Sequence, residues 1–411
     1  MVLKNVVVAG VSALALLLVP GVASTQPLVA STEPGAATPK PAASPTIEPF
    51  VVYGIYTREQ RSQLVSEGYD IGEASWADHV ELFATDAQAA VLVMRGYQVV
   101  RQAEPDDFPP ADSGYHNYAE TVADLQAVIA AHPTLVHQFS LGTSFLGRDL
   151  IGVRISDDAT DNLAEPGVFF VGQHHAREHL TVEVVLSLIH MFVEKPIYTS
   201  LVHSRQIYLV PSLNPDGSEY DIETGQYRYQ RKNMQPPNGT DQNRNYTYKW
   251  GCCGGSDDNQ YGETYRGPNP LSTPEDARMA DFMLAHPNVM TGISYHSYGD
   301  LILYPYGYTY EDIPPDMNVL DHQTFVAMGA EMERTAGYHA QQSSDLYITD
   351  GDWNDWMYGA LHRYPITIEL SGGTFYPPDE FIPGESLRNH QAAIFVATIA
   401  DCPTRIVGVD C

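Results

Sequence analysis

Three histidines, an arginine and a glutamate end an apolar run in Phe169-Phe170-Val171-Gly172-Gln173-His174-His175-Ala176-Arg177-Glu178-His179. Imidazole nitrogens and carboxylate oxygens are donors that a zinc ion prefers. Two ligand sets fit the letters. In the first, H-x-x-E-H from His175 to His179, two helix-borne histidines hold the metal and Glu178 acts as base. In the second, only His175 and Glu178 bind, spaced by about one helical turn so that both face one ion. That choice requires a third ligand and a base from farther along the chain.

Later segments supply such residues. His296 lies in SYHSYGDLILYPYG, and Glu369 ends the alternating run YPITIELSGG. Arg231 lies in YRYQRKN, and Asn243 and Arg244 lie in GTDQNRNY. The set, over about residues 115–400, resembles the zinc carboxypeptidases of the carboxypeptidase A type, and most of all their secreted bacterial carboxypeptidase T branch.

The resemblance implies one zinc ion held by His175, Glu178 and His296, with the fourth position left for water. It implies Glu369 as general base and acid, and Arg231 as the cation that stabilises developing oxyanion charge. Asp241 matches the carboxylate that orients the first ligand histidine. Asn243 and Arg244 match a clamp for a free C-terminal carboxylate, a group that a planar guanidinium fork suits. Tyr347 in DLYITDGDWNDW matches a mobile tyrosine that caps the substrate, and Arg177, Ser297 and Tyr298 match outer-subsite residues. Asn354 stands where the family sets its C-terminal side-chain preference. An amide there brings hydrogen bonds and no charge, and Asp352 is the nearby group able to pair with a basic side chain. The expectation is broad specificity for apolar and basic C-terminal residues. His174 and His179 have no role in the family pattern.

The elements that must position these residues follow from periodicity. YAETVADLQAVIAAHP and PEDARMADFMLAHP have helical spacing, and LTVEVVLSLIHMFVE is apolar enough for a buried helix. VHQFSLGTSFLGRDLIGVRISD reads as paired strands, EPGVFFVGQHH and VMTGISYH as buried strands, and RQIYLVPSLNPDG as a strand and a turn. The alternation predicts an α/β fold with a mixed, mostly parallel twisted sheet flanked by helices.

An internal repeat precedes it. Thr57 to Ile71 (TREQRSQLVSEGYDI) matches Thr85 to Val99 (TDAQAAVLVMRGYQV) at Thr57/Thr85, Gln60/Gln88, Leu64/Leu92, Gly68/Gly96 and Tyr69/Tyr97. Threonine starts each helix and glycine stops it, so two strand–helix–strand units make a small ferredoxin-like α+β domain. By the resemblance this is an inhibitory prodomain. The expected organisation is a signal peptide at 1–24, a Pro/Ala-rich linker at 25–49, the prodomain at 50–103, an activation linker at 104–114 and the catalytic domain at 115–411.

The signal reads from Lys4, the apolar run Val6 to Val19 and small residues at the end, and implies export. A net charge of −29 excludes the basic footprint that nucleic-acid binding needs. No segment after the signal is apolar enough to span a bilayer. Four cysteines in an exported chain suggest disulfides. Adjacent cysteines fit the bond's geometry poorly, so Cys252 or Cys253 is expected to join Cys402 or Cys411. Peptides with a free C-terminus and an activating protease are the expected partners of a monomeric secreted enzyme. Alternatives are a peptidase for peptidoglycan stem peptides on the same scaffold, an H-x-x-E-H zinc peptidase and a non-catalytic peptide-binding relative.

Overall fold

The computed structural model describes residues 47–72, 77–101, 114–223 and 225–411. The signal and most of both linkers lie outside these residues.

The duplicated segment forms β1 (Glu48–Tyr53), α1 (Arg58–Ser66), β2 (Asp70–Ile71), β3 (His79–Ala84), α2 (Asp86–Met94) and β4 (Gln98–Arg101). The strands make an antiparallel sheet in the order β2-β3-β1-β4, the order of a ferredoxin-like sandwich. Thr57 and Thr85 each close a capping box with the glutamine three residues on. Gly68 and Gly96 follow the helices with φ of 84° and 94°, a conformation that costs glycine nothing.

The larger sheet is fed by α3 (Tyr118–Ala131), β5 (Val136–Thr143), β6 (Asp149–Ile155), β7 (Gly167–Val171), α4 (Leu180–Glu194), α5 (Thr199–Val202), β8 (Gln206–Val210), α6 (Pro215–Ile222), α7 (Pro274–Ala285), β9 (Val289–Ser297), β10 (Leu301–Tyr304), α8 (Val319–Ala336), β11 (His339–Gln342), α9 (Ser343–Leu346), α10 (Trp353–Gly359), β12 (Tyr364–Leu370) and α11 (Ile382–Thr398). Its order is β11-β10-β12-β9-β7-β8-β6-β5. The central run β12-β9-β7-β8 is parallel, and β5, β6 and β8 pair antiparallel. The expected mixed α/β sheet is therefore present. Every residue of β7, β8 and β12 is buried, which is why β7 reads as a continuous apolar run, while β12 alternates in sequence although both of its faces are covered.

Three local expectations change. The NPDG turn is the start of α6, because Asn214 caps the helix through Gly217 N and Pro215 takes its first position. His175 and Glu178 sit in a turn before α4 rather than on a helix. Gln173 takes a positive φ of 57° there, and Glu178 N donates to His175 O at 3.2 Å. The disulfides are local: Cys252 bonds Cys253, and Cys402 bonds Cys411. A short 3-10 turn at Pro403–Val407 brings Cys411 back to a Cα separation of 5.6 Å from Cys402, within the normal reach of the bond. Proximity, rather than long-range pairing, decides both bridges.

Candidate metal centre

The C-terminal ends of the parallel strands converge on one point. His175 and Glu178 leave β7, His296 is the penultimate residue of β9, and Glu369 is directly beside His296 on β12 in the sheet register. Ligand atoms of His175, Glu178 and His296 lie within 4.8 Å of one another, and all three residues are buried. His175 Nδ1 is 2.7 Å from Glu178 Oε1, His296 Nδ1 is 3.0 Å from Glu178 Oε2, and the two Nδ1 atoms are 3.2 Å apart. Bonds of about 2.1 Å at tetrahedral angles separate ligand atoms by roughly 3.4 Å. Two buried imidazole nitrogens aimed at each other at that spacing fit a cation between them.

The outer nitrogens are occupied, which turns the Nδ1 atoms inward. His175 Nε2 is 3.2 Å from Asp241 Oδ1, and His296 Nε2 is 3.1 Å from Ser294 Oγ. Burial works against a charged Glu178, but His175 and His296 hold its pKa far below the usual carboxylate range. Burial opposes charge on Asp241 too, and Arg231 and His175 hold it well below normal. Burial also lowers the pKa of His296, favouring the neutral ring that a metal needs.

His179 lies outside the cluster. Its Nε2 is 3.0 Å from Asp221 Oδ2, and its Nδ1 faces Ser218 and Gln173. His174 bonds Tyr246 and Ser294. The ligand geometry thus favours the set with His296 over H-x-x-E-H.

Arg231 points Nε and Nη2 at Asp241 Oδ2, both at 3.0 Å. Asn243 N donates to Asp241 Oδ1, and Asn243 Oδ1 accepts from Trp353 N. Arg244 is buried and donates from Nε to Gly255 O and from Nη1 to Asn243 O. Asp241 therefore joins His175, Arg231 and the Asn243 backbone through one carboxylate. Ser297 is buried beside Glu178, with its N 3.3 Å from Glu178 Oε2, and Tyr298 packs edge-on to Phe375 at 5.0 Å. Asn354 donates from Nδ2 to Leu303 O, and its buried Oδ1 has no hydrogen-bond partner. Asp352 is buried rather than solvent-facing. It caps α10 through Asp355 N and accepts from Thr349 Oγ1, and burial raises its pKa.

Two expected subsite residues are covered by the N-terminal sandwich. Tyr347 is buried in one apolar cluster with Leu64, Val65 and Tyr69. Arg177 is fully buried, ion-paired with Asp70, and stacked on Phe83 and Phe375. Asp70 Oδ1 also lies 3.5 Å from Arg231 Nη1. The motifs did not point to Asp70, Phe83 or Phe375. Nothing in the sequence singles out Asp70, since 70/98 is one of many positions at which the two copies of the repeat differ.

Residues 121–392 match the zinc carboxypeptidase family. A zinc carboxypeptidase of Saccharothrix mutabilis subsp. capreolus is 39% identical over 330 residues, which cover 75% of each chain. Carboxypeptidase A1 of Rattus norvegicus is 31% identical over 282 residues, 66% of each chain. The crystal structure of carboxypeptidase A from Helicoverpa armigera superposes with a TM-score of 0.74 at 22% identity, over 88% of this chain and 98% of that one, which is a likeness of fold. The chain belongs to the zinc carboxypeptidase family, metallopeptidases that hydrolyse C-terminal peptide bonds with one zinc ion.

Proposed function

We propose that this chain is an exported carboxypeptidase, made latent by its N-terminal sandwich, that removes apolar and basic residues from peptide C-termini. The observation that carries the reading is the convergence of His175, Glu178, His296 and Glu369 at the ends of adjacent parallel strands. His175, Glu178 and His296 would hold a zinc ion, which would supply Lewis acidity and lower the pKa of a water. Glu369, beside His296, takes the water's proton and returns it to the leaving amine. Arg231, fixed by Asp241, faces the charge that develops on the carbonyl oxygen. Arg244 and Asn243 hold the terminal carboxylate, with Tyr347 closing over it.

Latency is supported by what the sandwich contacts. Asp70 engages Arg177 and Arg231, while α1 grips the segment that carries Tyr347. Arg61 Nε donates to Leu346 O at 2.8 Å, and Ile348 N donates to Ser62 Oγ at 2.8 Å. Cleavage by a partner protease within 104–114 would separate the two parts. Export is supported by the composition of residues 1–24; among the described residues no helix is long and apolar enough to cross a membrane.

For specificity, Asn354 offers its unpartnered Oδ1, and Asp352 lies two residues away with a carboxylate that a basic side chain would recharge. The test is a panel of peptides ending in Phe, Leu, Arg and Glu, alongside a peptidoglycan stem peptide, each with and without a chelator. Chelator-sensitive release of Phe, Leu and Arg, with Arg release depressed by Asp352→Asn, is expected. Undetectable Arg release would remove the basic specificity, and preferred cleavage of the stem peptide would favour the alternative substrate.

A further inference from the structure

The Cys252–Cys253 disulfide sits on a loop that touches both Arg244 and the segment between Tyr347 and Asp352. Gly251, Cys252, Cys253 and Gly254 are exposed even with the N-terminal sandwich in place. The chain then turns inward, and Gly255 and Ser256 are buried. Gly255 O accepts from Arg244 Nε at 2.9 Å. Gly255 N donates to Asp350 Oδ2 at 2.9 Å, Cys253 N donates to the same oxygen at 3.1 Å, and Ser256 Oγ donates to Asp350 Oδ1. Asp350 is fully buried, so these loop donors replace the water that its carboxylate has lost. A Cβ on Gly255 would collide with the Thr349 backbone, so the two stretches of main chain are in direct contact.

Ahead of the disulfide the loop is tied down by side chains. Trp250 Nε1 donates to Arg266 O at 3.0 Å, and Lys249 Nζ lies 3.0 Å from Asp316 Oδ2. Between these ties and Gly255 the bend passes through Gly251 and Gly254, with φ of 63° and 83°. Glycine enters that region freely, which leaves such a bend soft. The bond between neighbouring cysteines closes a small ring at its centre and takes that freedom away. It thereby fixes the path from Trp250 to Gly255, and through Gly255 the setting of Arg244 and Asp350. Its exposure leaves it open to attack by an external thiolate.

We propose that Cys252–Cys253 is a thiol-reactive site that sets the grip of the carboxylate clamp. Closed, it holds Arg244 ready for a terminal carboxylate; opened by a dithiol, it slackens the loop and weakens peptide binding. One thiolate of the dithiol attacks a cysteine sulfur, the S–S bond breaks, and the other cysteine leaves as a thiolate that takes up a proton. The reagent's second thiolate then displaces the first cysteine, which is protonated in turn. Two protein thiols and one cyclic, oxidised reagent result, with two electrons passed to the protein. The inference rests on the carboxypeptidase reading above, in which Arg244 binds the substrate's terminus.

The test uses the zinc-loaded full chain, nicked by a protease within residues 104–114, and a peptide ending in Leu. Dithiothreitol is the reductant. Alkylation and mass spectrometry identify the cysteines that open, and zinc is measured in the same samples. Opening Cys252–Cys253 should raise KM about tenfold and leave kcat within about twofold, the pattern of weakened uniform binding. Reoxidation should restore KM. Cys252→Ser/Cys253→Ser should show the raised KM without reductant and no further response to it. Cys402→Ser/Cys411→Ser should respond as the unsubstituted chain does. An unchanged KM with Cys252 and Cys253 alkylated overturns the proposal even where a serine variant fails to fold. So does a bond that stays closed while Cys402–Cys411 opens, or an equal response in Cys252→Ser/Cys253→Ser, which would trace to the metal or to the other bridge. If the oxidised chain cleaves the peptide and KM ignores the thiol, the carboxypeptidase reading stands and only the switch falls. If the oxidised chain cleaves nothing, both fall.

Discussion

Glu369 and Asp241 are both buried carboxylates, and their surroundings separate their roles. Glu369 stands beside His296 at a strand end but is not among the clustered ligand atoms. Glu369→Gln should therefore leave zinc content unchanged and cut kcat by roughly 10²–10⁴-fold. Metal analysis alongside steady-state kinetics checks this, and near-normal turnover with zinc bound would remove Glu369 from the mechanism. Asp241 acts through others, because it orients His175 and Arg231 together. Asp241→Asn keeps the shape but loses the charge that both partners face. Zinc affinity should fall about 10–100-fold in a chelator competition. A loss of kcat with unaltered affinity would confine Asp241 to Arg231. The three cluster residues were legible because His175, Glu178 and His296 each sit in a distinctive string. Asp70 and Phe83 were not, since their partners lie far along the chain and only folding reveals them.

Among the elements, the helices packed on the sheet carry their own pH dependence. His190 on α4 lies 3.0 Å from Asp124 on α3 and 3.0 Å from Glu194. The hydrogen bond to Asp124 pushes the His190 pKa up to about 9, against about 6.5 in an unfolded chain. The folded form holds that proton more tightly. Its stabilisation is complete below about pH 6.5 and lost as the pH rises towards 9. His190→Gln should lower the Tm at pH 7 and shrink the further fall between pH 7 and 9. An unchanged slope would show that the α3–α4 pair does not set it. Helix and strand positions were legible from period in α3 and α7 and from unbroken apolar content in α4 and β7. The stretch from His175 to Glu178 was misread as helical, because i,i+3 spacing also fits a turn and the positive φ of Gln173 has no marker in its residue type. The disulfides were misread because cysteine order carries no information about which Cα atoms end up close.

For the molecule as a whole, the proposed latency places control at the contact between the sandwich and the larger sheet. Its polar core is Asp70 with Arg177 and Arg231, all buried. Removing one charge from a buried group of this kind is strongly destabilising, by about 3–5 kcal/mol. In the uncleaved, zinc-loaded chain, Asp70→Asn should loosen the sandwich and raise basal peptidase activity tenfold or more. Activity equal to that of the unsubstituted uncleaved chain would mean that Asp70 does not maintain latency.

The position of β12 has a consequence for when the enzyme comes into being. This strand follows β10 in the chain yet is inserted between β9 and β10, and it brings Glu369 to His296. A nascent or prematurely terminated chain that stops before residue 364 has His175, Glu178 and His296 but lacks both Glu369, the proposed base, and the strand that joins the two sides of the sheet. The proposed catalysis would therefore become possible only once the chain has been made past β12, so copies that stop earlier would carry the metal cluster without its neighbouring carboxylate.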